Sequence, residues 1–150
     1  MRHTLFILML LISTTMAAQT EMFEKYEDTK GVKTVFISKS VLKLLPDINV
    51  GGKKLSKLSN TTNRLDAVQI LECAEAKQAE IIEKDFRNYI TNNHFEVVIK
   101  ANDEDEKITI YQKNLKHEKT CFVLINREGR TLNIIAITGK ISIDELKDYM

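Results

Sequence analysis

The chain has 150 residues, 43% of them hydrophobic and 29% charged, with 5 Gly, 1 Pro, 2 Cys and no Trp. That composition excludes collagen-like, disulfide-dense and wholly disordered chains, and the length suits a single core. A formal net charge of +1 argues against a dedicated nucleic-acid binder, which carries a strong basic excess.

The first residues read as an address. Arg2 and His3 precede an apolar run from Leu5 to Ile12, then Ser13-Thr14-Thr15 and Ala17-Ala18 before Gln19. A positive start, a short apolar stretch and small residues before a polar one predict a secretory signal peptide over residues 1–18, cleaved after Ala17 or Ala18. The competing reading is a buried N-terminal helix. The apolar run is well short of the roughly 20 residues that a transmembrane helix needs. No Cys lies near the cleavage site, so the expected location is the periplasm or the outer membrane surface, without a lipid anchor. Cleavage removes Arg2 and no acid, which leaves a formally neutral mature chain. No second apolar run of membrane length follows, and residues 19–150 are expected to form one domain.

Residues 20–28 read as a short amphipathic helix with Met22, Phe23 and Tyr26 on one side, ended by Gly31. Residues 33–38 are β-branched and aromatic and predict a strand. Ser38 or Ser40 then caps a short helix carrying Val41, Leu42, Leu44 and Leu45, stopped by Pro46. From Asp47 to Asn63 the chain is polar and contains Gly51-Gly52, the longest stretch read as irregular. A strand follows at 65–72. Over 75–91, Ala79, Ile82, Phe86, Tyr89 and Ile90 fall on one helical face. Glu80–Lys84 and Glu83–Arg87 stand at i,i+4 on the other side.

Four strands are then expected at 94–101, 107–113, 120–127 and 131–138, with Ser142 capping a closing helix at 142–149. The first two alternate apolar and polar residues. The last two are apolar on both faces, through Phe122 to Ile125 and Leu132 to Ile137, which predicts a central place in the sheet or a covered second face. The fold class is therefore α+β: a mainly antiparallel sheet of about five to six strands, a long helix (75–91) packed on it and short helices at both ends.

Charge is segregated along the chain. Residues 30–64 carry Lys30, Lys33, Lys39, Lys43, Lys53, Lys54, Lys57 and Arg64 against Asp47 alone. Such a bias marks either a solvated face or a surface for an anionic partner. If it serves binding, Lys53, Lys54 and Lys57 are the best candidates, because they lie on a Gly-containing loop free to reach a partner.

Catalytic signals are weak. Cys73 and Cys121 are the only thiols; they either pair in an oxidising compartment or stay separate and partly buried. No base is placed beside either one, as a nucleophilic Cys requires. His94 and His117 lack metal-ligand spacing, and Asp103-Glu104-Asp105-Glu106 lacks the pattern of a calcium loop and reads as a hairpin turn. Ser40-x-x-Lys43 lacks the companion motifs of acyl-enzyme hydrolases. Accordingly, no catalytic, cofactor-binding or metal residue is assigned.

The start ending in Ala-Gln, Phe23-Glu24-Lys25-Tyr26, Gly31-Val32 and Val35-Phe36-Ile37-Ser38-Lys39 form a familiar order. Val68-Gln69-Ile70-Leu71, Ile108-Thr109-Ile110-Tyr111, and Ile134 to Gly139 leading into Ile143 continue it. Together they resemble the exported bacterial family catalogued as domain of unknown function 4252, typical of Bacteroidetes. The likeness covers nearly all of residues 19–150, and its motifs are strands and helix starts rather than catalytic groups. The resemblance implies no enzyme activity or cofactor, and a role linked to envelope signalling. Neither Cys73 nor Cys121 belongs to its pattern.

The leading expectation is an exported, non-enzymatic binding or accessory domain of the cell envelope, whose partner is a protein or an anionic envelope component. The alternatives are a carrier of a small apolar ligand held between the helices and the doubly apolar strands, or a hydrolase. An exposed apolar strip over a solid core would favour the first, an apolar cavity the second and converging polar groups near Ser38, Ser40 or His94 the third.

Overall fold

The computed structural model describes residues 14–44, 49–50, 53–54 and 64–147. In chain order these form α1 (Thr14–Glu24), β1 (Val32–Ser38), α2 (Lys39–Leu42), β2 (Asn49–Val50), β3 (Lys53–Lys54) and β4 (Leu65–Cys73). Then come α3 (Ala76–Asn92), β5 (Glu96–Asn102), β6 (Glu106–Asn114), β7 (Thr120–Glu128), β8 (Thr131–Gly139) and α4 (Ile143–Lys147).

Six strands make one antiparallel sheet in the order β1-β4-β8-β7-β6-β5. The two strands that are apolar on both faces, β7 and β8, occupy its middle, as expected. Alternate residues explain why both faces are apolar. Cys121, Val123 and Ile125 of β7 enter one core with Leu71, Ile134 and the buried side of α3. Phe122 enters the other with Val68, Ile110, Leu42, Ile141 and Leu146, and Leu124 packs against it. Because β4 lies beside β8 and β5 is the far edge, α3 connects them by crossing one face of the sheet. It buries Ala79, Ile82, Phe86 and Ile90 there, the positions that its helical spacing selects.

Short connections do the rest. The acidic run forms the β5–β6 turn, where the Asp103 N–H donates to the Glu106 carbonyl (2.8 Å) and the Glu104 N–H to Asp103 Oδ1 (2.7 Å). Gly129, at φ +55°, turns β7 into β8. Ser142 caps α4 as its sequence suggests: Ser142 Oγ accepts the Glu145 N–H (3.3 Å) and Glu145 Oε2 accepts the Ser142 N–H (2.9 Å).

Two local readings are corrected. The first helix spans Thr14–Glu24 rather than 20–28. Residues 26–29 continue as tight turns, with Tyr26 N–H to Phe23 O, Glu27 N–H to Glu24 O and Thr29 N–H to Tyr26 O all at 3.1 Å. The spacing of three between Phe23 and Tyr26 serves an α-helix and such turns equally well, so periodicity did not separate them. Residues Ala17 and Ala18 therefore fall within α1. Secondly, the stretch read as irregular from 47 to 63 contains β2 and β3, which pair with each other (Asn49↔Lys54, Val50↔Lys53) in a separate two-stranded sheet; its other residues lie outside the described ones. Of the two i,i+4 pairs expected on α3, Glu83–Arg87 forms (2.8 Å), whereas Glu80–Lys84 does not close among the described residues.

Candidate functional site

The thiols are separate. Cys73 stands opposite Leu132, and Leu132 opposite Arg127, six positions along β7 from Cys121. At about 3.3 Å per residue that is about 20 Å, far beyond the reach of a disulfide. Both are free and buried. Burial pushes the Cys121 thiol up to about 11, against the opposing effect of bonds to Thr138 and Gln19. At neutral pH it is a protonated core side chain that donates to Gln19 Oε1 (3.1 Å).

The titratable clusters on the α3 side are closed upon themselves. Asp85 accepts hydrogen bonds from Lys25 Nζ (2.6 Å) and from the Tyr26 hydroxyl. Those two bonds hold the Asp85 carboxyl below its usual range, and burial, then Asp85, pushes the Tyr26 hydroxyl up to about 12. Glu83 accepts from Arg87 and lies 3.5 Å from Arg127 Nη1, while Arg87 donates to the Tyr111 hydroxyl (2.6 Å). These groups clamp α3 to the turn that follows α1 and to the sheet.

At the opposite end, a groove of about 580 Å³ opens between α4 and the strand ends, lined in part by Arg64, Gln112, Glu118, Phe122, Lys140 and Glu145. Three of its polar groups, Arg64, Ser142 and Glu145, are engaged with each other. Glu145 pairs with Arg64 and caps Ser142, and the Ser142 backbone N–H, then Arg64, lowers its carboxyl below the usual range. Among the described residues no group of three or more His, Cys, Asp and Glu side chains could hold a metal. His94 and His117 sit in exposed turns at φ +59° and +60°. Ser40 and Lys43 are exposed on and just after α2.

Of the three lysines singled out by sequence, Lys53 and Lys54 form β3 and Lys57 lies outside the described residues. The feature that sequence reasoning missed lies nearby in the chain. Seven large apolar side chains are exposed among the described residues, and four of them (Val35, Phe36, Val41 and Leu44) fall within residues 35–44. Phe36 is 61% and Leu44 77% exposed. Lys30, Lys33, Lys39 and Lys43, before and among them along the chain, are exposed, and no acid occurs between Thr29 and Pro46. Lys33 leans back on Glu72 (3.6 Å) and Lys39 on Asp66 (3.3 Å), both acids of β4. Burial pushes the Asp66 carboxyl up, but Lys119 and Lys39 outweigh it and hold it below the usual range. The β1–α2 edge of the sheet, where these exposed apolar side chains alternate with lysines along the chain, is the candidate site.

The family model described as "Domain of unknown function (DUF4252)" matches residues 26–149. The chain belongs to the DUF4252 family. In this DUF4252 chain the matched residues take in the whole sheet, from β1 to β8, together with α2, α3 and α4, so the exposed apolar residues of β1 and α2 belong to the family domain. Comparison with curated proteins and with solved structures returned no match. Among the described residues no helix is long and apolar enough to cross a membrane.

Proposed function

We propose that this chain is an exported, non-enzymatic binding or accessory domain of the bacterial cell envelope, linked to envelope signalling. The observation that carries the reading is the concentration of exposed apolar side chains at β1 and α2. Exposed apolar surface concentrated in one region, with charge beside it, is a feature of protein contacts. The space between α3 and the sheet supports it too, because Ile82, Phe86, Leu71 and Ile134 pack it solidly. The leader-like residues 1–18 support export. Lys53, Lys54 and Lys57 continue the same acid-poor stretch and belong to this reading as further contacts for an acidic partner.

The test is expression in a Bacteroidetes host, followed by N-terminal sequencing and chemical crosslinking of the envelope fraction. The expected product begins at Ala18 or Gln19 and crosslinks to another envelope protein. A chain that still begins at Met1 in the cytosol, or that gives no crosslink in the envelope, contradicts the proposal.

A further inference from the structure

The sheet has two edges, and they differ. The β5 edge carries a bulge between Val97 and Ile99, with Glu96 and Lys100 of opposite sign beside it. A bulge bends an edge strand and spoils it as a template for further pairing. The β1 edge has no bulge. All seven of its residues, Val32 to Ser38, pair with β4 without interruption, and on its other side no strand pairs with it among the described residues. The β2–β3 hairpin forms its own sheet. Every second N–H and C=O of β1 therefore points outward from a straight ladder.

We infer that the outer edge of β1, which no strand occupies among the described residues, accepts, together with α2, an extended acidic segment of a partner protein as a seventh strand. This rests on the binding role proposed above and specifies its surface and the partner's chemistry. Three features of the edge choose the occupant. The outward backbone groups call for hydrogen-bonding partners, which a strand supplies and a lipid surface does not. Val35 and Phe36 are exposed on opposite faces of the strand, so an added strand with apolar residues gains a contact on each face. Finally, Lys30 and Lys43 are exposed before the start and beyond the end of β1, outside Lys33 and Lys39, which pair with Glu72 and Asp66. Pairing two copies of β1 would bring like charges together, whereas Asp and Glu at the ends of the added segment would meet these lysines.

The test uses the mature chain and a short synthetic peptide with Glu-Asp at each end around an alternating Val–Thr centre, read by amide hydrogen exchange. The peptide is expected to slow exchange in β1 and not in β5, and to bind more weakly as salt rises. N-methylation at alternate peptide residues, which removes hydrogen-bond donors and keeps the charge, should abolish that protection. The Lys30→Glu/Lys43→Glu variant, altered at two exposed positions, should bind the peptide about tenfold more weakly. Unprotected β1 amides, or equal binding of the N-methylated peptide, would overturn the proposal. So would binding to phosphatidylglycerol vesicles in place of the peptide, or a dimer that protects β1 without it. If β1 stays unprotected while crosslinks to an envelope protein persist, strand addition is wrong and the broader binding role survives.

Discussion

Phe86→Ala is expected to destabilise the protein by about 3–5 kcal/mol, the usual range for emptying a buried aromatic site. Phe86 is only 2% exposed at the centre of the α3 face. Its ring meets Phe23 edge-on, with centroids 5.1 Å apart, and stacks on Tyr26 at 6.5 Å. Such aromatic pairs add about 0.5–1.5 kcal/mol beyond the area they bury, and alanine removes both along with the contact to the sheet. The loss should also loosen the first helix, because Phe23 and Tyr26 reach the core beside this ring. Urea unfolding measures it. A midpoint that does not move would mean that the apolar face of α3 does not hold this core.

Gly139→Ala is expected to reach the upper end of the overpacking range, about 3 kcal/mol. Gly139 ends β8 opposite Leu65, where the β4–β8 register shifts between Leu65 and Ala67. A Cβ there would meet the Arg64 carbonyl oxygen at less than contact distance and would lie 2.7 Å from Leu65 Cα. Both are backbone atoms and cannot rotate away. The strands would have to part, straining the bond from the Lys140 N–H to the Arg64 carbonyl (2.9 Å). Gly129→Ala is the control: a Cβ there meets nothing within 4 Å, so only the left-handed backbone costs, about 1 kcal/mol. Equal midpoints for the two variants would contradict the close approach at Gly139.

The sheet was legible because its signals are local. Alternation in β5 and β6, double apolarity in β7 and β8, and the three- and four-residue spacings of α3 each follow from a neighbour's periodicity. Where one spacing fits two conformations, as for Phe23 and Tyr26, the boundary slipped. The candidate site was illegible for a different reason. Val35-Phe36-Ile37 has the composition of a core strand, yet only Ile37 is buried. Alternation tells which residues share a face; it does not tell that the strand ends up at the edge of the sheet. The charge bias of residues 30–64 did point to this part of the chain. It pointed to Lys53, Lys54 and Lys57, because the glycines before them read as a loop and edge position has no such signal, yet Lys53 and Lys54 form β3. The separation of Cys73 from Cys121 likewise depends on register across three strands, which no spacing in the sequence encodes.

The most direct test of the binding surface is site-specific photo-crosslinking in the envelope of the expressing cell. A photoreactive residue replaces Phe36 in one variant and Ile81 in another, since both side chains are more than half exposed and they lie on different elements. A discrete protein adduct is expected from position 36 and none from position 81. No adduct at position 36, or the same adducts from both positions, would contradict it.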